Sequence, residues 1–445
     1  MEMNAAHINT KVRFSRRDLL RAAALGTISL PLSRLAWAQK QRAFLEPKAI
    51  PYIGSDDALL DEIERAAFDF FWNEAGATGQ VKDRALLNGN DKQKIASIAA
   101  TGFGLSGLCI AEARGYKKRD EIVERVRGTL RFLWQKLPHE HGFYYHFIDL
   151  NSGERQWKCE ISSIDTSLLL CGVLTARQHF SDAEIQDLAT KIYERVEWPW
   201  MLNGGSTLSM GWHPESGFLD ARWEHYCELM MIYLLAMGSP THPIPAEAWK
   251  AWTRPTVEFQ GVRYISGNDP LFTHQYSQAW FDFRGKRDAY SDYFENSVKA
   301  TKAHKQFCIS LHDEFPDYSE QLWGITSSDS AAGYQAWGGP PRLGKVDGSV
   351  VPCAAGGSLP FLYADCMRVM RTIRERYGKA WGRYGFVDAF NPLTDWYNPD
   401  VLGIDQGITM LMAENQRTGF VWKTFMKNKE AQLGMEKAGF QTQHA

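Results

Sequence analysis

The strongest constraint on the fold of this chain is an alternation between two kinds of predicted helix. Some segments are apolar on nearly every side, and a helix of that kind must be buried all round. Others carry charges on one face and an apolar stripe on the other, which is typical of a helix covering a core. The apolar segments are Gly102–Ala113, Asp165–Ala176, Tyr226–Met237, Leu359–Met370 and Ile404–Ala413, and the amphipathic ones are Leu59–Asn73, Asp120–Lys136, Asp182–Glu197 and Tyr290–Phe307.

This alternation predicts an all-α fold in which inner helices form a toroid and outer helices return antiparallel around them. Antiparallel neighbours need only short connections, which agrees with the absence of an evident linker in the sequence. An irregular helical bundle is the alternative. If the inner helices run in one direction, their N-termini open at one mouth of the toroid, and we expect the polar residues of their first turns to converge there.

Composition limits the choice of partner. The 445 residues include 50 Lys+Arg and 52 Asp+Glu, so no basic excess supports a nucleic-acid partner. Aromatic residues make up 13% of the chain, with 16 Trp among them. This excess has two interpretations, an aromatic-rich core or a groove whose flat rings bind the faces of sugars, and composition alone does not choose between them.

Residues 1–38 have the layout of a twin-arginine export signal. The pair Arg16-Arg17 is followed by an apolar stretch, and Ala36-Trp37-Ala38 is a small-x-small cleavage site. We therefore expect the twin-arginine export machinery to deliver residues 39–445, as one domain, to the periplasm or the medium. No later segment approaches the ~18 apolar residues that span a bilayer, so we expect no stable membrane anchor after cleavage.

Removal of the signal would change the formal net charge from −2 to −6, which suits a neutral substrate better than an anionic polymer.

All seven cysteines lie after residue 38, and no CxxC spacing occurs. That pattern argues against zinc-ribbon and thioredoxin-type sites. Several cysteines lie within apolar runs, where a free thiol behaves as a small hydrophobic group, so we expect mostly free, buried cysteines.

Five acidic residues stand where the N-termini of the predicted inner helices should converge. Each could simply complement a helix dipole. Glu228 fits that explanation less well, because it is predicted to lie inside a helix, where a carboxylate must be paired or have a raised pKa. A raised carboxyl pKa is what a general acid requires. The five are Glu160, Asp165, Glu224, Glu228 and Asp405.

The loops at 271–284 and 321–329 interleave aromatic rings with Asp, Gln, His and Arg. A neutral saccharide site needs rings that stack on the apolar faces of sugars and side chains that bind hydroxyl groups. Packing of these rings at the rim of the fold is the alternative.

Other chemistries are poorly supported. There is no HExxH, GxSxG or Walker A motif, and the GxGxxG at 102–107 opens a helix with no strand before it.

Several motifs occur in order along most of the chain. They comprise Glu160 to Thr166, Glu228 to Pro243, His274 to Gln278 with Asp282-Phe283-Arg284, Trp323 to Thr326, Tyr384 to Asn391, Gly403 to Gly407, and Glu414-Asn415. Together they resemble the bacterial glycoamylase-like domain family, and within it the endo-β-1,2-glucanases of glycoside hydrolase family 144. The resemblance extends over roughly residues 55 to 425.

The resemblance implies an (α/α)6 barrel that hydrolyses β-1,2-linked glucan with inversion, without a metal ion or a cofactor. Glu228 matches the acid of the family, while Asp405 is the first candidate for the base and Asp165 the second. The positions expected to bind substrate are Glu160, Trp223, Glu224, Tyr226, His274, Gln278, Asp282, Arg284, Trp323 and Asp329.

One departure from the family is Cys227, which stands where many members have Asn and so removes an amide from the edge of the site. Two further functions stay open. The same scaffold could serve another glucan or a transglycosylation, and a toroid that only binds glycans would need rings but no acid/base pair. Convergence of the acids therefore distinguishes an enzyme from a binding protein.

Overall fold

The structure is a computed structural model that describes residues 50–268, 270–340, 342 and 346–443, so the predicted export signal at 1–38 lies outside the described residues. Within those residues, no helix combines the length and apolarity needed to cross a membrane. The chain is predominantly α-helical, as predicted. Its helices are α1 Asp56–Asn73, α2 Ile98–Arg114, α3 Arg119–Gln135, α4 Ser163–His179, α5 Ala183–Glu194, α6 Trp198–Leu202, α7 Met230–Gly238, α8 Ala248–Ala251, α9 Tyr293–Ser310, α10 Pro352–Gly356, α11 Tyr363–Arg376, α12 Gly403–Thr418, α13 Phe420–Phe425 and α14 Lys429–Lys437.

Helices α2, α4 and α12 form the centre of the molecule. Nearly every residue of each is buried, as expected for segments without a polar face. The hydroxyls of Ser97 and Ser162 accept the backbone N–H groups of Ala100 and Asp165, and so cap the first turns of α2 and α4. The cap residues therefore define where these two central helices begin.

Helices α2 and α4 approach each other closely through two glycines. A Cβ on Gly172 would lie 2.0 Å from the carbonyl oxygen of Gly102, and a Cβ on Gly102 would lie 2.3 Å from that of Leu168. No other residue fits at this crossing, so the two glycines set the distance between the central helices.

Amphipathic helices cover this centre. The inner face of α3 buries Ile122, Val126 and Leu133, while Arg127 on its outer side pairs with Asp182 at the start of α5 at 2.7 Å. A partly exposed pair of this kind contributes at most about 1 kcal/mol. Burial of the apolar face, which contributes about 25 cal/mol per Å2, therefore holds the outer layer in place.

Short antiparallel strands connect the helices, and three of them run directly into the N-termini of α2, α4 and α12. The backbone N–H of Gly403, the first residue of α12, donates to the carbonyl of Asp83 at 2.8 Å, which ties that helix to the segment before α2. Adjacent helix N-termini are thereby held at one end of the molecule. The strands are β1 Arg84–Leu86, β2 Ile95–Ser97, β3 His139–Glu140, β4 Phe143–Tyr144, β5 Phe147–Asp149, β6 Ile161–Ser162, β7 Gly211–His213, β8 Gly217–Phe218, β9 Thr256–Phe259, β10 Val262–Ile265, β11 Lys286–Arg287, β12 Ser327–Ser328, β13 Gln335–Ala336, β14 Trp381–Gly382, β15 Gly385–Phe386, β16 Phe390–Asn391, β17 Trp396–Tyr397, β18 Asp400–Leu402 and β19 Gln441–Thr442.

The strand pairs link neighbouring connections. β6, β7 and β8 form a three-stranded sheet, and the other strands pair as β1 with β18, β2 with β5, β3 with β4, β9 with β10, β11 with β19, β12 with β13, β14 with β15 and β16 with β17. All of these pairs are antiparallel.

Two sequence-based expectations need correction. Helix α7 begins at Met230, so Glu228 precedes this helix instead of lying inside it. The segment predicted as apolar on all sides at Leu359–Met370 is a turn followed by α11, whose arginines face outward and whose buried residues form one face only. Charges beyond the end of the predicted segment make α11 a covering helix. All seven cysteines are buried, as predicted.

Candidate active site

The N-terminal ends of α2, α4 and α12 and the segment before α7 border one cavity. Among the predicted site residues, Asp165, Trp223 and Glu228 line it. The complete lining is Asp83, Ser97, Ala99, His146, Phe147, Ile164, Asp165, Leu168, Met210, Trp223, Glu228, Asn268, Pro270, Phe272, Thr273, Tyr276, Ser327, Tyr334, Ala336 and Ile404.

Glu228 lies half-buried at the cavity wall, two residues before α7. Its backbone is held by Ser277, whose hydroxyl donates to the Glu228 carbonyl at 2.7 Å and accepts the Met231 N–H at 3.0 Å. Trp223 beside it is buried and donates its indole N–H to the Ser163 hydroxyl at 2.8 Å. The carboxyl group therefore projects from a rigid turn next to an aromatic wall.

Cys227, the departure from the family pattern, is buried directly next to Glu228. Burial, and secondarily the Glu228 carboxylate, raise the pKa of the Cys227 thiol well above its usual value. The residue is therefore a neutral thiol at the edge of the site and supplies no charge to it.

Asp165 lies in the first turn of α4 and is buried. The Ser162 hydroxyl donates to its carboxylate, and His146 Nε2 lies 3.6 Å from Asp165 Oδ1. The other ring nitrogen of His146, Nδ1, lies 3.3 Å from Glu160 Oε1. One imidazole thus bridges two buried carboxylates.

In the described residues, the trio His146, Glu160 and Asp165 is also the group of side chains that could hold a metal ion. One ligand atom of each lies within 4.8 Å of the others. The geometry of the trio fits a network of polar contacts among the three side chains better. The two ring nitrogens of His146 face different carboxylates, so the imidazole does not direct one nitrogen toward a centre shared with both.

Asp405 is buried in the first turn of α12, directly after the cavity-lining Ile404. Its neighbour Asp388 is fully enclosed, and Asp388 Oδ2 accepts the Asp329 backbone N–H and the Asn398 amide, both at 2.8 Å. Burial, and then the charges of Asp405 and Asp329, raise the pKa of Asp388 well above its usual value. Its protonated form is therefore favoured, and in that form Asp388 can donate a hydrogen bond toward Asp405.

Asp329, predicted to bind substrate, belongs to this same network. Its carboxylate accepts from Arg84 Nη1 at 2.6 Å, and Arg84 Nε also lies 3.2 Å from Asp83, which lines the cavity. No motif marks Asp83 and Arg84, so neither was predicted from the sequence as a site residue. Their proximity to the acids arises from the antiparallel pairing of β1 with β18.

Four of the predicted substrate-binding residues lie in the core behind the site. His274 and Tyr226 are buried and contact each other, with the Tyr226 hydroxyl 3.2 Å from His274 Nδ1. The amide of Gln278 donates to the Tyr293 carbonyl at 2.7 Å and to the Ser297 hydroxyl at 2.8 Å, and Trp323 has no exposed surface. These side chains shape the wall of the site and are not directed at a ligand.

Three other predicted residues do not line the cavity. Arg284 pairs with Asp282 at 2.8 Å and stacks over Trp422, close to the C-terminal end of α12. Since α12 rises about 1.5 Å per residue, this pair lies roughly 20 Å from the first turn that holds Asp405. Glu224 is exposed, and its carbonyl accepts the Thr253 N–H at 2.8 Å.

Comparison with known proteins agrees with these features. A family model described as "Putative glucoamylase" matches residues 220–429. The structure of a putative glucoamylase from Bacteroides uniformis is 30% identical, with a TM-score of 0.83 over 88% of this chain and 99% of that one. The chain belongs to the glycoamylase-like family.

Two further relatives carry more specific names. An endo-β-1,2-glucanase from Chitinophaga pinensis, solved with sophorotriose and glucose, is 29% identical, with a TM-score of 0.82 over 87% of this chain and 99% of that one. An exo-β-1,2-glucooligosaccharide sophorohydrolase from Parabacteroides distasonis is 29% identical over 87% of this chain. The match covers 59% of the length of that curated relative.

Proposed function

We propose that this protein is a glycoside hydrolase that cleaves β-1,2-linked glucan by an inverting acid/base reaction. The observation that carries the proposal is the convergence of Glu228, Asp165 and Trp223 on one cavity, with Asp405 directly behind its wall. A protein that only binds glycans would need the ring but not the acids. The names of the two β-1,2-glucan-specific relatives support the linkage.

We also propose that the helices form the (α/α)6 barrel expected from the family. The buried helices α2, α4 and α12 share one direction toward the cavity, and the amphipathic α1, α3 and α5 cover them. This arrangement supports an inner and an outer ring of helices.

In the proposed reaction, Glu228 is the general acid and protonates the departing glycosidic oxygen. Partial burial of this carboxyl group in a wall that includes Trp223 would favour the protonated form that an acid must have. No metal ion or cofactor is needed, because protein carboxyl groups supply both the acid and the base.

Asp405 is the base in this proposal, acting on the attacking water directly or through a hydroxyl group. A proton held by Asp388 rather than by Asp405 would leave Asp405 in the ionised form that a base requires. Asp165 is the second candidate, but both of its carboxylate oxygens already face protein groups, Ser162 and His146. These contacts suit Asp165 to a supporting electrostatic role.

The test of the activity is product analysis with three neutral polymers. The protein is incubated with linear β-1,2-glucan, laminarin and starch, and the products are separated by chromatography. We expect oligosaccharides from β-1,2-glucan only. Release of glucose from starch alone would replace the linkage assignment with the glucoamylase activity that the family description names, and transfer products longer than the substrate would indicate transglycosylation.

We further propose that residues 1–38 direct export and that residues 39–445 form the exported domain. The support is the order of the arginine pair, apolar stretch and cleavage site. Changing Arg16 and Arg17 together to Lys should leave the protein in the cytoplasm of a bacterium that has the twin-arginine pathway, as measured by cell fractionation. Unchanged export of the double variant would contradict the signal assignment.

A further inference from the structure

Trp157 is the exposed tryptophan of the described chain. Its residue surface is 52% accessible, whereas every other tryptophan in the described ranges is buried or partly buried. A single exposed apolar side chain needs no explanation by itself. For Trp157, three observations do call for an explanation: its backbone conformation, the hydrogen bonds that hold its turn, and its position.

Trp157 and Lys158 both adopt a left-handed backbone conformation, which neither residue type favours. Trp157 has φ of 52° and Lys158 has φ of 51°, and the Cys159 N–H donates to the Gln156 carbonyl at 3.0 Å. Two consecutive positive φ angles in a hydrogen-bonded turn strongly favour Gly, Asn or Asp. A bulky side chain in this region costs free energy, and such strain concentrates at functional sites.

This turn is held rigidly from both sides. Arg155 Nε donates to the Cys159 carbonyl at 2.6 Å, Arg155 Nη2 donates to the Lys158 carbonyl at 2.7 Å, and Glu215 fixes the guanidinium from outside at 2.6 Å. On the inner side, the Phe147 N–H donates to the Cys159 sulfur at 3.2 Å. The exposed ring is therefore presented on a fixed support.

The support places Trp157 at the rim of the cavity. Its ring lies 5.0 Å from that of Phe147, edge to face, and Phe147 lines the cavity beside His146. The wall of the cavity thus continues outward from Phe147 to a free indole face. Nothing in the acid/base reaction proposed above uses this ring.

We propose that Trp157 is an outer binding subsite, on which a neutral glucosyl unit distant from the cleaved bond stacks its apolar face. This inference rests on the proposed function, since it extends the same glucan site. Stacking on an indole face contributes about as much as an aromatic pair, which corresponds to about a two- to tenfold change in binding. Only a chain long enough to reach the rim gains from the subsite.

The test compares long and short substrates in Trp157→Asn, since Asn tolerates the left-handed turn. We expect KM for β-1,2-glucan polymer to rise about two- to tenfold, with kcat unchanged and with no change on the shortest oligosaccharide that is cleaved. Thermal unfolding should occur at the same temperature or higher, because backbone strain is relieved. Tyr290→Ala removes an exposed ring that does not line the cavity and is the matched control.

An unchanged KM for polymer in Trp157→Asn, with normal hydrolysis by the wild type, would overturn the subsite and leave the proposed function intact. An equal loss on polymer and short substrates would also overturn it, since that result indicates a structural role. If the wild type does not hydrolyse β-1,2-glucan, the proposed function fails, and tryptophan fluorescence is titrated with β-1,2-glucan, laminarin and soluble starch. A wild-type response that Trp157→Asn lacks would support the subsite, and identical or absent responses would overturn it.

Discussion

Individual residues at this site obtain their chemical properties from their immediate surroundings. Asp388 and Asp405 are both aspartates in one buried network, yet enclosure and neighbouring carboxylates raise the pKa of Asp388 well above its usual value. Glu228 instead lies at the cavity surface, where its carboxyl group can reach a ligand. Environment, rather than residue type, separates the acid, the base and the supporting group.

Replacing Glu228 by Gln should lower kcat on β-1,2-glucan by about 10²- to 10⁴-fold, because the amide cannot donate the proton that the leaving oxygen needs. Glucan binding should persist, since the side chain keeps its size. Reducing-sugar release measures the rate, and tryptophan fluorescence measures binding. Glu247→Gln, which changes an exposed glutamate, is the control, and a full rate in Glu228→Gln would refute the acid assignment.

The two base candidates are separated by their pH–rate profiles. A base must be ionised, so its titration produces the acidic limb of the profile. Asp405→Asn should remove that limb together with most of the activity, whereas the residual activity of Asp165→Asn should keep it. The reverse pattern would exchange the roles of the two residues.

At the scale of elements, packing distance between helices is set by a few small residues. Strands β2, β6 and β18 lead into α2, α4 and α12, and the glycine contact between α2 and α4 brings two of these helices close together. Residues in the first turns of these helices therefore reach a common cavity. The position of the site depends on this crossing as much as on the polar residues themselves.

Gly172→Ala should destabilise the protein by about 1–3 kcal/mol or more, because a Cβ placed 2.0 Å from the Gly102 carbonyl forces α2 and α4 apart. Gly128→Ala in α3 is the control, since nothing lies within 4 Å of its Cβ position. That control should stabilise the helix by about 0.5–1 kcal/mol. Urea unfolding measures both effects, and equal stability of the two variants would contradict the close-contact interpretation.

At the scale of the whole molecule, two buried histidines link stability to pH. Burial lowers the pKa of His274 to about 3 and that of His304 to about 3. His304 Nε2 accepts the Ile325 backbone N–H at 3.0 Å, an interaction that only the neutral imidazole offers on that nitrogen. Both rings are therefore neutral in the folded protein.

Because an unfolded histidine takes up a proton near pH 6.5, the unfolded chain binds more protons than the folded chain as pH falls from about 6.5 toward 3. The contribution of these groups to stability is complete above that window and is lost within it. The melting temperature should fall through this range, and His304→Gln should show a shallower fall than wild type. Exposed His242→Gln is the control, and parallel curves for all three proteins would contradict the assignment.

The sequence predicted the helical class because full or one-sided burial of a helix appears directly in its residue pattern. It predicted the cavity residues Asp165, Trp223 and Glu228, since first-turn positions and motifs are local features. It did not predict where Glu228 lies relative to α7. The segment predicted as a helix began at Tyr226, but the helix begins only at Met230.

What the sequence determined by itself is the alternation of buried and covering helices and the family to which the chain belongs, because both depend on residues read in order. The tertiary structure alone decided which polar groups share a wall. His146 and Trp157 belong to no motif, and Asp388 lies within a motif but was not predicted as a site residue. Their neighbours Asp165, Phe147 and Asp405 come from other segments of the chain. Strand pairing and the close crossing of α2 and α4 bring those segments together, and a local sequence pattern does not predict such contacts.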